Sequence, residues 1–354
     1  MISVEQVVNQ LRLVQEPELH RDLVSLNMIK DIQLTSKSIE LTIVLTTPAC
    51  PLVEYIEREV RQTLLQLPGI TEVVIHLNSV VRSDRHIVQA TSFPFRNTIA
   101  IASGKGGVGK STVAVNVAIS LAQAGAKVGL LDADIYGPDI PTMMGLSKLP
   151  ESGGEKIIPA SAYQVKVMSI GFLVKPNQPI IWRGPMLHTA IKQFLTDVDW
   201  GELDYLIIDL PPGTGDAQLS LTQTLPLSGG VIVTLPQKVS VEDARRGLEM
   251  FNTMQVPILG IVENMSFIEL PNGEHLEIFG KGGGAELAEK TNVPLLGEIP
   301  MDSNVSAGGD NGKPITVSFP MSAASRSLRS IAQKIAASLS VQAYLAQNNV
   351  SSAG

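Results

Sequence analysis

One cysteine in 354 residues, Cys50, excludes any disulfide within the chain and points to a reducing compartment, the cytoplasm. Aromatic residues are scarce too: they make up 4% of a chain that is 44% hydrophobic. The core must therefore be aliphatic, as in α/β proteins whose parallel strands are buried on both faces. No apolar run reaches the ~20 residues that a membrane-spanning helix needs. The opening Met-Ile-Ser-Val-Glu lacks a basic stretch leading into an apolar one, so no secretory signal is expected. Charged residues are only 17% of the chain and sum to −7, which argues against general nucleic-acid binding. The polar, uncharged segment 341–354 lacks the basic amphipathic face of a membrane anchor. What remains is a soluble chain long enough for two or three domains.

The most informative segment present is Gly104-Lys105-Gly106-Gly107-Val108-Gly109-Lys110-Ser111-Thr112. It fits G-x-x-x-x-G-K-[ST], a phosphate-cradling loop. Asn97–Ala102 before it reads as a buried strand, and Ser111–Ala124 after it as a helix, the context this motif requires. The glycines let consecutive N–H groups curl inward, and the helix N-terminus adds its positive dipole end. Lys110 is placed to reach the β- and γ-phosphates of a nucleoside triphosphate, and Ser111 to ligate Mg²⁺.

From residue 97 onward strands alternate with helices, which argues for βαβ units and a parallel sheet. Further strands are expected at Lys127–Asp132, Val165–Ile170, Tyr205–Asp209, Gly230–Leu235, Ile258–Val262 and Pro294–Ile299. Helices are expected near 186–198, 216–225, 241–254, 282–291 and 321–347. Residues 1–81 read as a small α+β domain. It has a helix at Val4–Val14 opened by a Ser3/Gln6 capping box, a hairpin over 31–45, a helix at Leu52–Leu67 and a strand at Thr71–Leu77. Residues 82–96 read as a linker, 97–345 as the nucleotide-binding domain and 346–354 as a flexible tail. The expected fold is thus α/β: a parallel-sheet P-loop NTPase preceded by a small α+β domain.

Two strand ends carry carboxylates. Tyr205–Asp209 is an apolar strand ending in aspartate, the Walker B pattern, whose carboxylate reaches Mg²⁺. Leu210–Asp216 follows it as a proline- and glycine-jointed loop suited to moving when a γ-phosphate leaves. Leu130-Leu131-Asp132-Ala133-Asp134 ends a second strand. Asp134 is the leading candidate to orient the attacking water, and Asp132 to support the metal.

Together these stretches closely resemble the Mrp/ApbC family of P-loop ATPases, which carry iron–sulfur clusters to apoproteins. The matching residues are Gly104–Thr112, Asp132–Pro141, Trp182–Pro185, Asp209–Asp216, Val262–Ser266, Ile278–Gly280 and Ile299–Asp302, so the likeness covers roughly residues 97–340. Lys105, at the second position of the loop, looks like the "deviant" Walker A lysine of the MinD, ParA and nitrogenase iron-protein relatives. The resemblance implies a homodimer in which Lys105 reaches the neighbour's ATP phosphates. It implies slow hydrolysis coupled to dimer opening and closing, and adenine recognition near Asn264 and the loop of Pro300 and Asp302. Residues 16–29 and 46–51 resemble the small domain of cytosolic iron–sulfur assembly factors. Apoproteins or assembly scaffolds are the implied partners.

The chain departs from the family at one place. Many members carry Cys-Pro-x-Cys after the Glu-Asn-Met-Ser segment, where they bind a shared cluster. Here Leu270 and Gly273 stand in the thiol positions around Pro271. A [4Fe–4S] cluster usually takes four thiolates, and two copies of this chain offer only two, both Cys50. Cys50 reads in two ways. It is either a structural core residue or, just before Pro51 at an expected helix start, a thiol of lowered pKa and a cluster ligand. Two other functions stay open: an ATP-dependent assembly chaperone that holds no cluster, and a MinD/ParA-like positioning ATPase.

Overall fold

The structure is a computed structural model that describes residues 2–83, 93–135, 137–151, 154–173 and 184–351. Tyr136, Trp182 and Arg183 of the family-like stretches lie outside the described residues. So do 84–92 of the expected linker and 352–354 of the expected tail. The chain divides into two compact units, residues 1–82 with 336–354, and residues 83–335.

In the first unit, helix α1 (Val4–Leu11) begins at the expected capping box, with Ser3 and Gln6 exchanging both bonds. The two-residue strands β1 (Gln15–Glu16) and β2 (Arg21–Asp22) pair with each other. Strands β3 (Ile29–Leu34) and β4 (Ser38–Leu45) form the expected hairpin, and β5 (Glu72–Ser79) joins β4 in parallel through helix α2 (Val53–Leu65). Alternation drives this arrangement. Ile39, Leu41, Ile43 and Leu45 point into one core, and α2 faces it with Ile56, Val60 and Leu64, spaced four apart.

The second unit is built on an eight-stranded sheet. Its strands are β6 (Phe95–Ser103), β7 (Val128–Asp132), β8 (Ala160–Ala162), β9 (Val165–Ser169), β10 (Leu203–Asp209), β11 (Gly229–Thr234), β12 (Ile258–Asn264) and β15 (Leu295–Ile299). The order across the sheet is β15-β12-β11-β6-β10-β7-β9-β8. Every pair is parallel except β8–β9, an antiparallel edge that the three-residue strand Ala160–Ala162 was too short to announce. A separate two-residue pair, β13 (Ile268–Glu269) and β14 (His275–Leu276), makes a small hairpin.

Helix α3 (Lys110–Gln123) follows β6 and is buried on nearly every side. The short helix α4 (Ile140–Met143) comes next, then α5 (Gly184–Thr196), α6 (Asp216–Thr224), α7 (Lys238–Thr253), α8 (Gly283–Thr291), α9 (Ser303–Asp310), α10 (Ile315–Ser318) and α11 (Ala323–Ser351). The main core is aliphatic as composition demands, with Phe95, Phe194, Trp200 and Phe251 among the buried aromatics of this unit. After β6 the chain skips one strand position to β7, and β10 later fills the gap. The carboxyl ends of β6, β10 and β7 therefore lie side by side, where ligands bind in sheets of this kind.

Three boundaries differ from expectation. The central strand starts at Phe95, inside the expected linker, because Phe95 stacks edge-on against Trp200 and is buried. Residues 346–351 continue α11 instead of forming a flexible tail. Residues 336–345, expected in the nucleotide-binding domain, pack within the first unit. There Tyr344 is buried in the small core, its hydroxyl bonded to Arg21, and Ser340 donates to the Thr46 carbonyl.

Tyr344→Ala is expected to cost the first unit about 3 kcal/mol in urea unfolding. Tyr344→Phe, which keeps the ring and loses one partly exposed hydrogen bond, should cost about 1 kcal/mol or less.

Candidate functional site

Three strands end together at the carboxyl edge of the sheet. Asp209 of β10 is in register with Asp132 of β7 and Ile101 of β6, and Asp132 is in register with Ser169 of β9. Beyond the end of β6 the chain turns through Gly104–Gly109 into α3. Gly109 is left-handed at φ 84°, as is Gly107 at φ 80°. Gly104 is needed for a different reason. A Cβ there would lie 2.1 Å from the backbone carbon of Asp243, so α7 closes against the loop where only hydrogen fits.

The loop delivers Lys110 into a nearly closed charge cluster. Its ammonium Nζ lies 2.7 Å from Asp209 Oδ1 and 3.5 Å from Asp134 Oδ2, and its side chain is 6% exposed. Ser111 Oγ donates to Asp209 Oδ2 at 2.6 Å. Ser169 Oγ donates to Asp132 Oδ2 at 2.7 Å, while Asp132 Oδ1 accepts from the backbone N–H of Asp134. Five residues expected from three separate places in the sequence, Lys110 and Ser111, Asp132 and Asp134, and Asp209, are thus drawn into one site. Burial pushes the Asp132 carboxyl well above the usual range, and the Asp209 charge adds to the push. Burial also raises Asp209, with the Lys110 charge working against it. Ser111, Asp209 and Asp132 present the hard oxygen donors that Mg²⁺ takes.

A cleft of about 970 Å³ opens beside the loop. Asn264, Pro300 and Asp302, expected at the base, line it together with Asp139 and with Thr112, the last residue of the phosphate loop. Asp302 also caps α9 by accepting from the Asn304 backbone N–H at 2.8 Å. Asn264 ends β12 and donates its amide N–H to the Val108 carbonyl at 2.9 Å. Sequence reasoning missed that bond, and also the buried Asn116, which accepts from both the backbone and the hydroxyl of Thr316. Only the polarity of Asn116 within an apolar helix hinted at it.

Cys50 corrects one expectation. The helix after it begins at Val53 with Leu52 as its cap, so Pro51 lies in a turn and the thiol has no helix N-terminus to itself. Cys50 is buried in the small core, and burial lifts its thiol to about 11. At Leu270 and Gly273 the chain makes a tight turn between β13 and β14, with the Gly273 N–H donating to the Leu270 carbonyl and Phe267 stacked on His275. Among the described residues no group of three or more His, Cys, Asp or Glu side chains is placed to hold a metal ion. No described helix is long and apolar enough to cross a membrane.

Residues 94–336 match the family model described as NUBPL iron-transfer P-loop NTPase. The chain belongs to this family. Residues 4–76 match a second model, described as iron-sulfur cluster assembly protein. Among relatives of the P-loop NTPase, the "Iron-sulfur cluster carrier protein" of Synechocystis is 51% identical across 98% of this chain and 100% of its own. The Arabidopsis thaliana "Iron-sulfur protein required for NADH dehydrogenase, mitochondrial" is 49% identical across 68% of this chain and 78% of its own. Among solved structures, a nucleotide-binding protein from Archaeoglobus fulgidus in complex with ADP is 43% identical, with a TM-score of 0.56 over 62% of this chain and 88% of that one. The Aquifex aeolicus MinC:MinD complex, at 21% identity and a TM-score of 0.51 over 68% of this chain and 95% of that one, shares the fold.

The Cys50 thiol gives a pH signature. Its folded pKa is about 11 and its ordinary value 9.0, so the folded state holds the proton after the unfolded chain has lost it. Its contribution to stability is complete below pH 9 and falls away as pH rises towards 11. Unfolding free energy measured across that window should decline more steeply in wild type than in Cys50→Ala.

Proposed function

We propose that this chain is an ATP-hydrolysing homodimer that carries iron–sulfur clusters and delivers them to apoproteins, working with assembly scaffolds in the cytoplasm and without nucleic-acid or membrane partners. One observation carries the reading. The buried Lys110–Asp209–Ser111 cluster sits at the mouth of a phosphate loop, in a chain similar over its whole length to a relative named for cluster carriage.

In this reading the N–H groups of Gly104–Thr112 cradle the phosphates, Lys110 neutralises the β- and γ-phosphates, and Asp134 orients the attacking water. Ser111 and Asp209 hold Mg²⁺, with Asp132 behind them. When bound, the ion supplies positive charge at the phosphates. The cleft at Asn264, Pro300 and Asp302 takes the adenine. Lys105, half-buried at the second position of the loop, serves the ATP of a second copy. Hydrolysis is slow and coupled to dimer opening and closing.

The cargo site is a separate question from the motor. Leu270 and Gly273 leave Cys50 as the only thiol ligand, two per homodimer. A second reading, an ATP-driven assembly chaperone that never holds a cluster, is favoured by one observation: Cys50 is buried and its thiol stays protonated.

Anaerobic reconstitution separates the two. A carrier should retain iron and sulfide with a visible absorption band and lose them in Cys50→Ala. If both proteins stay free of iron, the chaperone reading stands and carriage falls. For the dimer, Lys105→Ala is expected to abolish nucleotide-dependent dimerisation in sedimentation and to cut turnover at least about tenfold. Unchanged values in both assays would remove Lys105 from any role across a dimer.

A further inference from the structure

We infer that Asn264 is a positioning residue of the phosphate loop as well as a base contact: its amide nitrogen fixes the Val108–Gly109 peptide that aims Lys110 and Ser111. The inference rests on the ATPase reading above and adds a second duty to one of its residues.

The peptide between Val108 and Gly109 is the last joint before Lys110. Gly109 stands at φ 84° and ψ 25° as the cap of α3. Glycine takes that conformation and its mirror about equally well, so the glycine itself does not select one. The selection matters electrostatically. A phosphate loop works when its N–H groups face the anion, and a flipped peptide presents a carbonyl oxygen there instead. Val108 is buried, so its carbonyl also needs a partner wherever it points.

Asn264 supplies that partner on the side away from the phosphates. Its Nδ2 donates to the Val108 oxygen at 2.9 Å, and the side chain is so close that a Cβ on Gly109 would meet Nδ2 at 2.2 Å. The neighbouring residue shows the same pressure. Met265 is a non-glycine held left-handed at φ 53°, and its Cε approaches the same face of Gly109. Left-handed backbone at a residue with a Cβ is costly and persists only where the surroundings enforce it. They do so here. Asn264 is in register with Ile299, the Ser266 N–H donates to the Ile299 carbonyl at 3.0 Å, and the Met301 N–H donates to the Phe267 carbonyl at 2.7 Å.

With the nitrogen committed to Val108, the amide oxygen is the atom left to face the cleft, where it can accept from an amino group on a base. One side chain then spans the two ends of the nucleotide. A base pulling on the oxygen loads the bond that holds the loop.

The test uses the full chain and two nucleotides, ATP and purine riboside triphosphate, which lacks the 6-amino group. Asn264→Asp keeps an acceptor and loses the donor, and Asn264→Ser loses the reach to Val108 without adding charge. Urea midpoints confirm that each variant is folded. If Asn264 sets the loop, kcat falls in both variants with either nucleotide, and kcat/KM with the analogue, where no amino group is at stake, still falls by about tenfold or more. The inference is overturned if the loss appears with ATP alone or if KM rises while kcat holds, since base contact then accounts for the whole effect. Wild type that turns over neither nucleotide would instead bring down the ATPase reading on which the inference stands.

Discussion

A buried ammonium between two carboxylates, Lys110 against Asp209 and Asp134, is the constraint from which the rest of the nucleotide unit follows. Charges taken out of water cost several kcal/mol each unless geometry compensates them. Compensation here requires β10 to end beside β6, β7 to end beside β10, and the chain between β6 and α3 to turn in very little space. Parallel strands with helical crossovers meet the first two demands, and the glycines meet the third. Burial raises Asp132 and Asp209 above the ordinary carboxylate range, and Asp132, Asp134 and Asp209 together outnumber the one lysine among them. In the proposed function, a polyphosphate arriving with a divalent cation redistributes these pairings: the anion takes the lysine, and the cation takes the acids.

Much of this was legible beforehand because the signals are local. The phosphate loop, the strand-end aspartates and the alternation of strand and helix each occupy a dozen residues or fewer. What stayed hidden depends on partners far along the chain. Asn264 meets Val108 across 156 positions, and Asn116 meets Thr316 across 200. Nothing near an asparagine says which carbonyl it will serve. Boundaries failed for a related reason. Phe95 became strand because Trp200 lies against it, and Pro51 lost its expected helical place because that helix starts two residues later. Of the two readings of Cys50, the one that placed it at a helix N-terminus inherited that error, since such a thiol and a thiol in a core titrate in opposite directions.

The two halves of the proposed activity therefore stand on different kinds of structure. The nucleotide end is dense with buried polar groups, nearly all of them paired. For cargo, the first unit offers a single core cysteine, and the second has at Leu270 and Gly273 a hydrogen-bonded turn with a stacked phenylalanine and histidine beside it.

The packing of Tyr344 into the first unit has a consequence in time. Residues 1–82 leave the ribosome first, yet the aromatic plug of their core lies more than 250 residues downstream. At ordinary translation speeds that interval is on the order of tens of seconds. Throughout it the core of that unit lacks Tyr344, so its packing is completed only once α11 has been made.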